Sequence, residues 1–207
     1  MTHVTFPEPQ NLRVNMMPIV MGDSESVPTE LQGYLPLINE CDFEKGSIVY
    51  LTVHESSVDP GTSQRRGGVH TEAFKPSESF LRLVQDSGIE AGSWGGGSWG
   101  GAKGVYMAST DGACQIWETQ TEDVDGHGGV LADLKDVPSF KCEPNTLYWM
   151  TDKTPHEALP STSTYRQFFR LVSEDVSAWF TEHNTPNPLG VEPSCPKVGV
   201  NKFALGA

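Results

Sequence analysis

From residue 46 onward the chain breaks into short β-branched and aromatic runs, each closed by turn residues, and this restricts it to architectures built from strands. The spacing predicts strands over 47–53, 70–74, 80–85, 104–109, 113–118, 129–134, 147–151 and 164–172, the last being the strongest. Asp111-Gly112, Asp125-Gly126 and Pro144-Asn145 punctuate them, because these residues accept turn conformations that others resist. Strands do not alternate with helical patterns, which excludes a doubly wound parallel sheet. About eight short strands with regular turns suggest instead a sandwich or a double-sheet jelly roll.

A chain of 207 residues with 21 Gly and 15 Pro fits one mainly β domain over 1–207. Residues 1–45 read as an N-terminal arm with one edge strand and a short helix, 46–172 as the strand core, and 173–207 as a short helix and a tail. Thr29, after Pro28, is the expected cap of a helix through Leu31, Tyr34, Leu35 and Ile38. Ser173 is the expected cap of a second helix through Val176, Trp179 and Phe180, with Glu174 and Asp175 in its first turn. Tyr106, Trp117, Tyr148 and Trp149 are expected mostly in the core.

Charge narrows the partners. Fourteen basic and 27 acidic side chains leave a formal net charge of -13, a field that repels nucleic acid and anionic membranes. An anionic small molecule would need a dedicated local cation. The four cysteines, Cys41, Cys114, Cys142 and Cys195, lack the close pairing of zinc knuckles or redox motifs and read as free thiols. The N-terminal residues lack a basic start followed by an apolar run, and no apolar stretch is long enough to cross a bilayer. A soluble, cytoplasmic protein is expected.

Candidate chemistry sits in residues 67–74, GGVHTEAF, which carry His-x-Glu inside a predicted strand. Alternation puts His70 and Glu72 on one face, about 6–7 Å apart along the backbone, where both can reach one ion. His156, after Thr154-Pro155, is the best third ligand. Two histidines and a carboxylate on one side of an ion leave positions open opposite, an arrangement suited to iron(II) that must bind O2 and a co-substrate. Ten residues after His156 comes Arg166, in the strand YRQFFRLV. Period two places Arg166, Phe168 and Arg170 on one face and Tyr165, Gln167, Phe169 and Leu171 on the other. Arginine in so apolar a strand needs an anionic partner: a bound carboxylate held by two hydrogen bonds, or one of the chain's own acids.

His70-x-Glu72, a distant His156 and an arginine ten residues later resemble the iron(II)/2-oxoglutarate-dependent oxygenases. The run 145–160, NTLYWMTDKTPHEALP, is similar to the family segment that leads through a turn and a strand to the second histidine. The resemblance covers roughly residues 65–172. It implies a double-stranded β-helix of the jelly-roll, cupin-like type, Fe(II) held by His70, Glu72 and His156, and 2-oxoglutarate held through its distal carboxylate by Arg166. Arg170 would then support the co-substrate or bind an anionic substrate. The implied activity is dioxygenase chemistry, hydroxylating or oxidising a small or amino-acid-like molecule. Most of the family carries Asp where this chain carries Glu72. A carboxylate there argues against the halogenating subgroup.

Other features keep two readings. Residues 92–101, GSWGGGSWGG, are a flexible connection or a lid whose Trp94 and Trp99 contact substrate. Arg65-Arg66 is a solvated turn or an anion contact at the site mouth. His127 is a loop residue or a substrate contact. His54 faces away from Glu55 and is a minor competitor for the metal. The chain has no His-Glu-x-x-His, Gly-x-Ser-x-Gly or phosphate-loop motif. Two alternatives to the oxygenase stand: a cupin-type metalloenzyme that needs no 2-oxoglutarate, acting as a dioxygenase or isomerase, and a non-catalytic jelly-roll binding module.

Overall fold

The structure, a computed structural model, describes residues 1–72, 104–125, 128–176 and 178–199. It is mainly β and antiparallel, with little helix. In chain order the strands are β1 (Thr2–His3), β2 (Arg13–Val20), β3 (Ile48–Ser57), β4 (Gly104–Ser109), β5 (Cys114–Trp117), β6 (Ser139–Lys141), β7 (Thr146–Thr151), β8 (His156–Ala158), β9 (Tyr165–Val172), β10 (Trp179–Phe180) and β11 (Lys197–Val198). A six-stranded sheet runs β1-β7-β4-β9-β3-β2, and a three-stranded sheet runs β6-β5-β8. Isolated bridges from His70 to His156 and to Gly129 extend the smaller sheet beyond β8.

Both faces of the large sheet are buried, which is why its central strands read as nearly continuous apolar runs. On one face Val49, Leu51, Val53, Phe169 and Leu171 pack against Leu31, Tyr34, Leu37 and Ile38 of the N-terminal segment. On the other, Met107, Tyr148, Phe168 and Val172 meet Cys114 and Ile116 of the small sheet. Phe168 and Phe169, neighbours in sequence, thus anchor opposite layers, each burying a side chain worth about 1.5–3 kcal/mol. Between the layers β9 carries its two arginines.

Glu55 ties the N-terminal segment to the sheet. Its carboxylate is buried and accepts hydrogen bonds from Tyr34 Oη (2.7 Å), Gln10 N (2.7 Å), Leu12 N (2.9 Å) and Gln167 Nε2 (3.1 Å). Burial pushes the carboxyl up, but these donors outweigh it and hold Glu55 below the ordinary glutamate value.

Several local expectations are corrected. Thr29 does not cap: Pro28 holds the cap position, Thr29–Tyr34 is a 3-10 helix, and the α-helix α1 covers only Leu35–Asn39, with Pro36 in its first turn. No helix follows Ser173 among the described residues. Trp179–Phe180 is instead a strand paired in parallel with β11, and Trp179 Nε1 donates to Met16 O at 2.8 Å. This part of the C-terminal segment is thus packed against β2. Only the bridge at His70 is strand-like in 70–72, and 129–134 contributes only bridges. The strand expected at 80–85 lies outside the described residues. Trp149 is 45% exposed, on the face of β7 opposite buried Tyr148 and Met150. The four cysteines are free. No described helix is long and apolar enough to cross a membrane.

Candidate metal centre

His70 and His156 are brought together by backbone pairing. Each donates its amide to the other's carbonyl at 2.9 Å, so the two residues sit directly opposite and their rings stand 4.5 Å apart, centroid to centroid. The strand around His70 is held on its other side by Thr71 N to Gly128 O (2.8 Å) and Val130 N to Val69 O (3.0 Å).

Each ring is also oriented. His70 Nδ1 lies 2.7 Å from Gly68 O, and His156 Nδ1 lies 3.0 Å from Thr154 O. A carbonyl only accepts, so both Nδ1 atoms carry the proton and both Nε2 atoms keep a lone pair for another partner. In each case the carbonyl lies two residues upstream, a repeated device. Tying off Nδ1 in this way is how metal-binding imidazoles are held in the ligating tautomer. Burial, then the neighbouring His156, pushes His70 down to about 4. His156 is lowered chiefly by burial, against the opposing pull of Glu72.

Glu72 completes the trio. It is 7% exposed, and its Oε1 lies 3.7 Å from His156 Nε2 and 2.6 Å from Arg170 Nη1. Burial pushes this carboxyl up, but Arg170, His156 and His70 hold it below the ordinary value, so it stays a carboxylate. Arg170 is placed partly by Met16, which a bulge between Val14 and Met17 turns inward: Met16 has φ 48°, is 1% exposed, and its Sδ accepts from Arg170 Nη2 at 3.5 Å.

Among the described residues no trio of His, Cys, Asp or Glu side chains could hold a metal ion in the rotamers seen. Glu72 Oε1 is turned toward Arg170. The donor set nevertheless fits iron(II) in kind: two neutral imidazoles with Nε2 unprotonated, and one ionised carboxylate, all lining one cavity. That cavity measures about 60 Å³ and is also lined by Met107, Cys114, Ala158 and Phe168.

Both arginines of β9 face this cavity, as the period-two reading expects. Each meets one of the chain's own acids, the alternative that the sequence left open, Arg170 at Glu72 and Arg166 at Asp111. Arg166 is 1% exposed and its Nε lies 2.9 Å from Oδ1 of Asp111, itself 4% exposed. Its Nη2 reaches Ser109 Oγ (3.3 Å) and the carbonyl of Ala113 (3.4 Å), while its buried Nη1 has no hydrogen-bond partner among the described residues. Asp111 is anchored in turn by Ser161 Oγ at 2.5 Å. Burial lowers the Arg166 pKa and Asp111 pulls it back up.

Arg66 is exposed and lines the cavity, while Arg65 is partly buried there, its Cζ 4.9 Å from the centroid of the Phe168 ring. Both therefore stand at the mouth of the cavity, Arg66 the more exposed of the two. His54 is not beside the candidate metal ligands; it lines a neighbouring cavity. Trp94, Trp99 and His127 lie outside the described residues. Asp111 signalled itself in sequence only as a turn residue, and Met16 gave no signal. No family model matches the chain, and no curated protein sequence is significantly similar to it.

Proposed function

We propose that the chain is a non-haem iron(II) oxygenase that uses 2-oxoglutarate, on a double-stranded β-helix, with His70, Glu72 and His156 as metal ligands. The observation that carries this reading is the matched pair of imidazoles: opposite each other, each with Nδ1 tied to a carbonyl two residues upstream, beside a buried carboxylate. The strand order supports the fold. Counting the His70 segment as a strand, the strands from β3 to β9 are divided between two layers, β3-β9-β4-β7 in one and His70-β8-β5-β6 in the other, alternating except for the β5–β6 hairpin.

Iron(II) and 2-oxoglutarate, when bound, would supply O2 activation, with 2-oxoglutarate converted to succinate and CO2 and the substrate oxidised. The chain's own groups do the positioning. The Nδ1–H donors hold both imidazoles in the ligating tautomer. Arg170, at Glu72, keeps that carboxylate ionised, and Glu72 would turn from it to the metal. Arg166 stands four residues away along β9, about 13 Å by the strand rise, lines the same cavity, and would hold the distal carboxylate of 2-oxoglutarate. Its unpartnered Nη1 is available to that carboxylate. Met107, Ala158 and Phe168 keep the wall apolar and limit water.

One observation favours a second reading, a jelly-roll metalloenzyme without 2-oxoglutarate: Arg166 already has a counter-ion in Asp111. Anaerobic addition of Fe(II) and 2-oxoglutarate separates the two. The proposal requires a visible charge-transfer band that His70→Ala and His156→Ala each abolish. Iron uptake with no such band would favour the second reading, and no iron uptake at all would overturn both.

A further inference from the structure

Beside the candidate metal cavity lies a larger one, about 480 Å³, that shares Arg65 and Arg66 with it. Its wall also includes Arg13, His54, His183 and Gln64, and none of its described lining residues is a carboxylate. This inverts the composition of a chain with 27 acidic and 14 basic side chains. Neither Arg13 nor Arg65 makes an ion pair among the described residues. Arg65 instead rests on the Phe168 ring, which Arg166 also approaches at 5.6 Å. The field is felt locally: burial, then Arg65, Arg13 and Arg166, push His54 down to about 4. Gathering like charges in a walled space is unfavourable without a counter-charge, and such a cavity concentrates anions.

The same wall carries a fixed acceptor. Gln64 Nε2 donates to Arg166 O (2.8 Å), Ser56 Oγ (3.0 Å) and His54 O (3.4 Å), which settles the orientation of the amide. Its buried Oε1 has no hydrogen-bond partner among the described residues.

We infer that this outer cavity binds a small molecule bearing at least two negative charges, held by Arg13 and Arg65. Resting on the oxygenase reading, that molecule is the substrate: Arg65, shared by both cavities, holds its near end at the metal cavity. The chemistry is common to polycarboxylates and phosphorylated compounds. The strong negative charge of the chain as a whole is no obstacle, because charges more than a Debye length away, about 8 Å at physiological salt, are screened while the lining arginines are in contact.

The test is calorimetric titration of the full chain with citrate, with inorganic phosphate and with neutral triethyl citrate. It is run on Fe(II)-loaded protein saturated with 2-oxoglutarate and on metal-free protein. Citrate or phosphate should bind in both states, with affinity falling as salt rises, and the neutral ester should not. Arg13→Gln, at an exposed position, should fold normally by circular dichroism and weaken binding about tenfold or more. Absence of binding by both anions, or wild-type affinity in Arg13→Gln, would overturn the inference. The two readings fail separately. Arg13-dependent anion binding by a protein that takes up no iron removes the oxygenase and leaves the anion site. Iron and 2-oxoglutarate binding without citrate or phosphate binding does the reverse.

Discussion

Replacing Asp111 with Asn tests what holds Arg166 in place. The substitution keeps the shape of the side chain and, at Oδ1, an oxygen for Ala113 N (3.3 Å); it removes the charge 2.9 Å from Arg166 Nε and turns the Oδ2 that accepts from Ser161 Oγ (2.5 Å) into an amide that Ser161 Oγ must accept from. With Arg166 1% and Asp111 4% exposed, water cannot screen the guanidinium that remains. Removing one partner of a buried pair costs about 3–5 kcal/mol, a large part of the roughly 5–15 kcal/mol that holds a domain folded. At a urea dependence of about 2 kcal/mol per molar, the midpoint should fall by about 1.5–2.5 M, read by far-ultraviolet circular dichroism at neutral pH. The double variant Asp111→Asn/Arg166→Met should recover much of the loss, because an apolar replacement of both partners is close to neutral. Under the oxygenase reading the single variant gains a further property. The distal carboxylate of 2-oxoglutarate supplies the missing counter-charge, so metal-loaded Asp111→Asn should be stabilised by about 2.7 kcal/mol at a concentration 100 times its Kd. A midpoint within about 0.5 M of wild type, which is about 1 kcal/mol, would refute the view that Asp111 neutralises Arg166.

Two further outcomes follow from the scaffold. Glu55 has a folded pKa below its ordinary 4.5, so its contribution is complete above that value and is lost as pH falls through the folded value. Glu55→Gln should therefore lower stability at neutral pH and flatten the fall of Tm on acidification, and an unchanged acid slope would assign that fall to other groups. Gly104→Ala would place a Cβ 2.1 Å from Met150 O, inside the β4–β7 pairing of Gly104 with Thr151. The backbone must move to relieve it, at about 1–3 kcal/mol or more, and a Tm equal to wild type in thermal unfolding would show that the strands are not so closely held.

The strands that were legible are those whose burial is local in origin. Residues 104–109 match β4 to the residue, and 164–172 match β9 to within one, because β-branched and aromatic side chains between Gly and Asp turns have few other places to go. β2 was legible only as an edge strand. Pro18 and the bulge at Met16 interrupt its pattern, and its irregular part is held from the far end of the chain, by Thr185 N to Asn15 O (2.8 Å) and Asn187 Nδ2 to Pro18 O (2.8 Å). β10 misread as helix for the same reason: Ser173 followed by acids is a good local cap, but pairing with Lys197–Val198 decides the conformation.

At the site, strand alternation accounts for Arg166 and Arg170 facing one cavity, while Glu72 reaches it from beyond the single bridge at His70, where no regular strand sets its facing. Alternation could not supply counter-ions. Asp111 and Arg166 are 55 residues apart and meet only through the β4–β9 pairing and the turn that follows β4. The same gap explains Arg65 and Arg13. Pairing of Arg13 with His54 in the β2–β3 register, and the bonds from Gln64 to the backbone of β3 and β9, set three cationic or imidazole side chains around one space that no linear motif marks. Net charge argues against large polyanions, which must approach across the whole acidic surface. It has no bearing on a small one, for which only the lining within a Debye length counts. An enzyme of this composition that takes an anionic substrate must gather its few arginines at one place, and seven of the residues lining the outer cavity stand in just three segments, 13–15, 54 and 64–66.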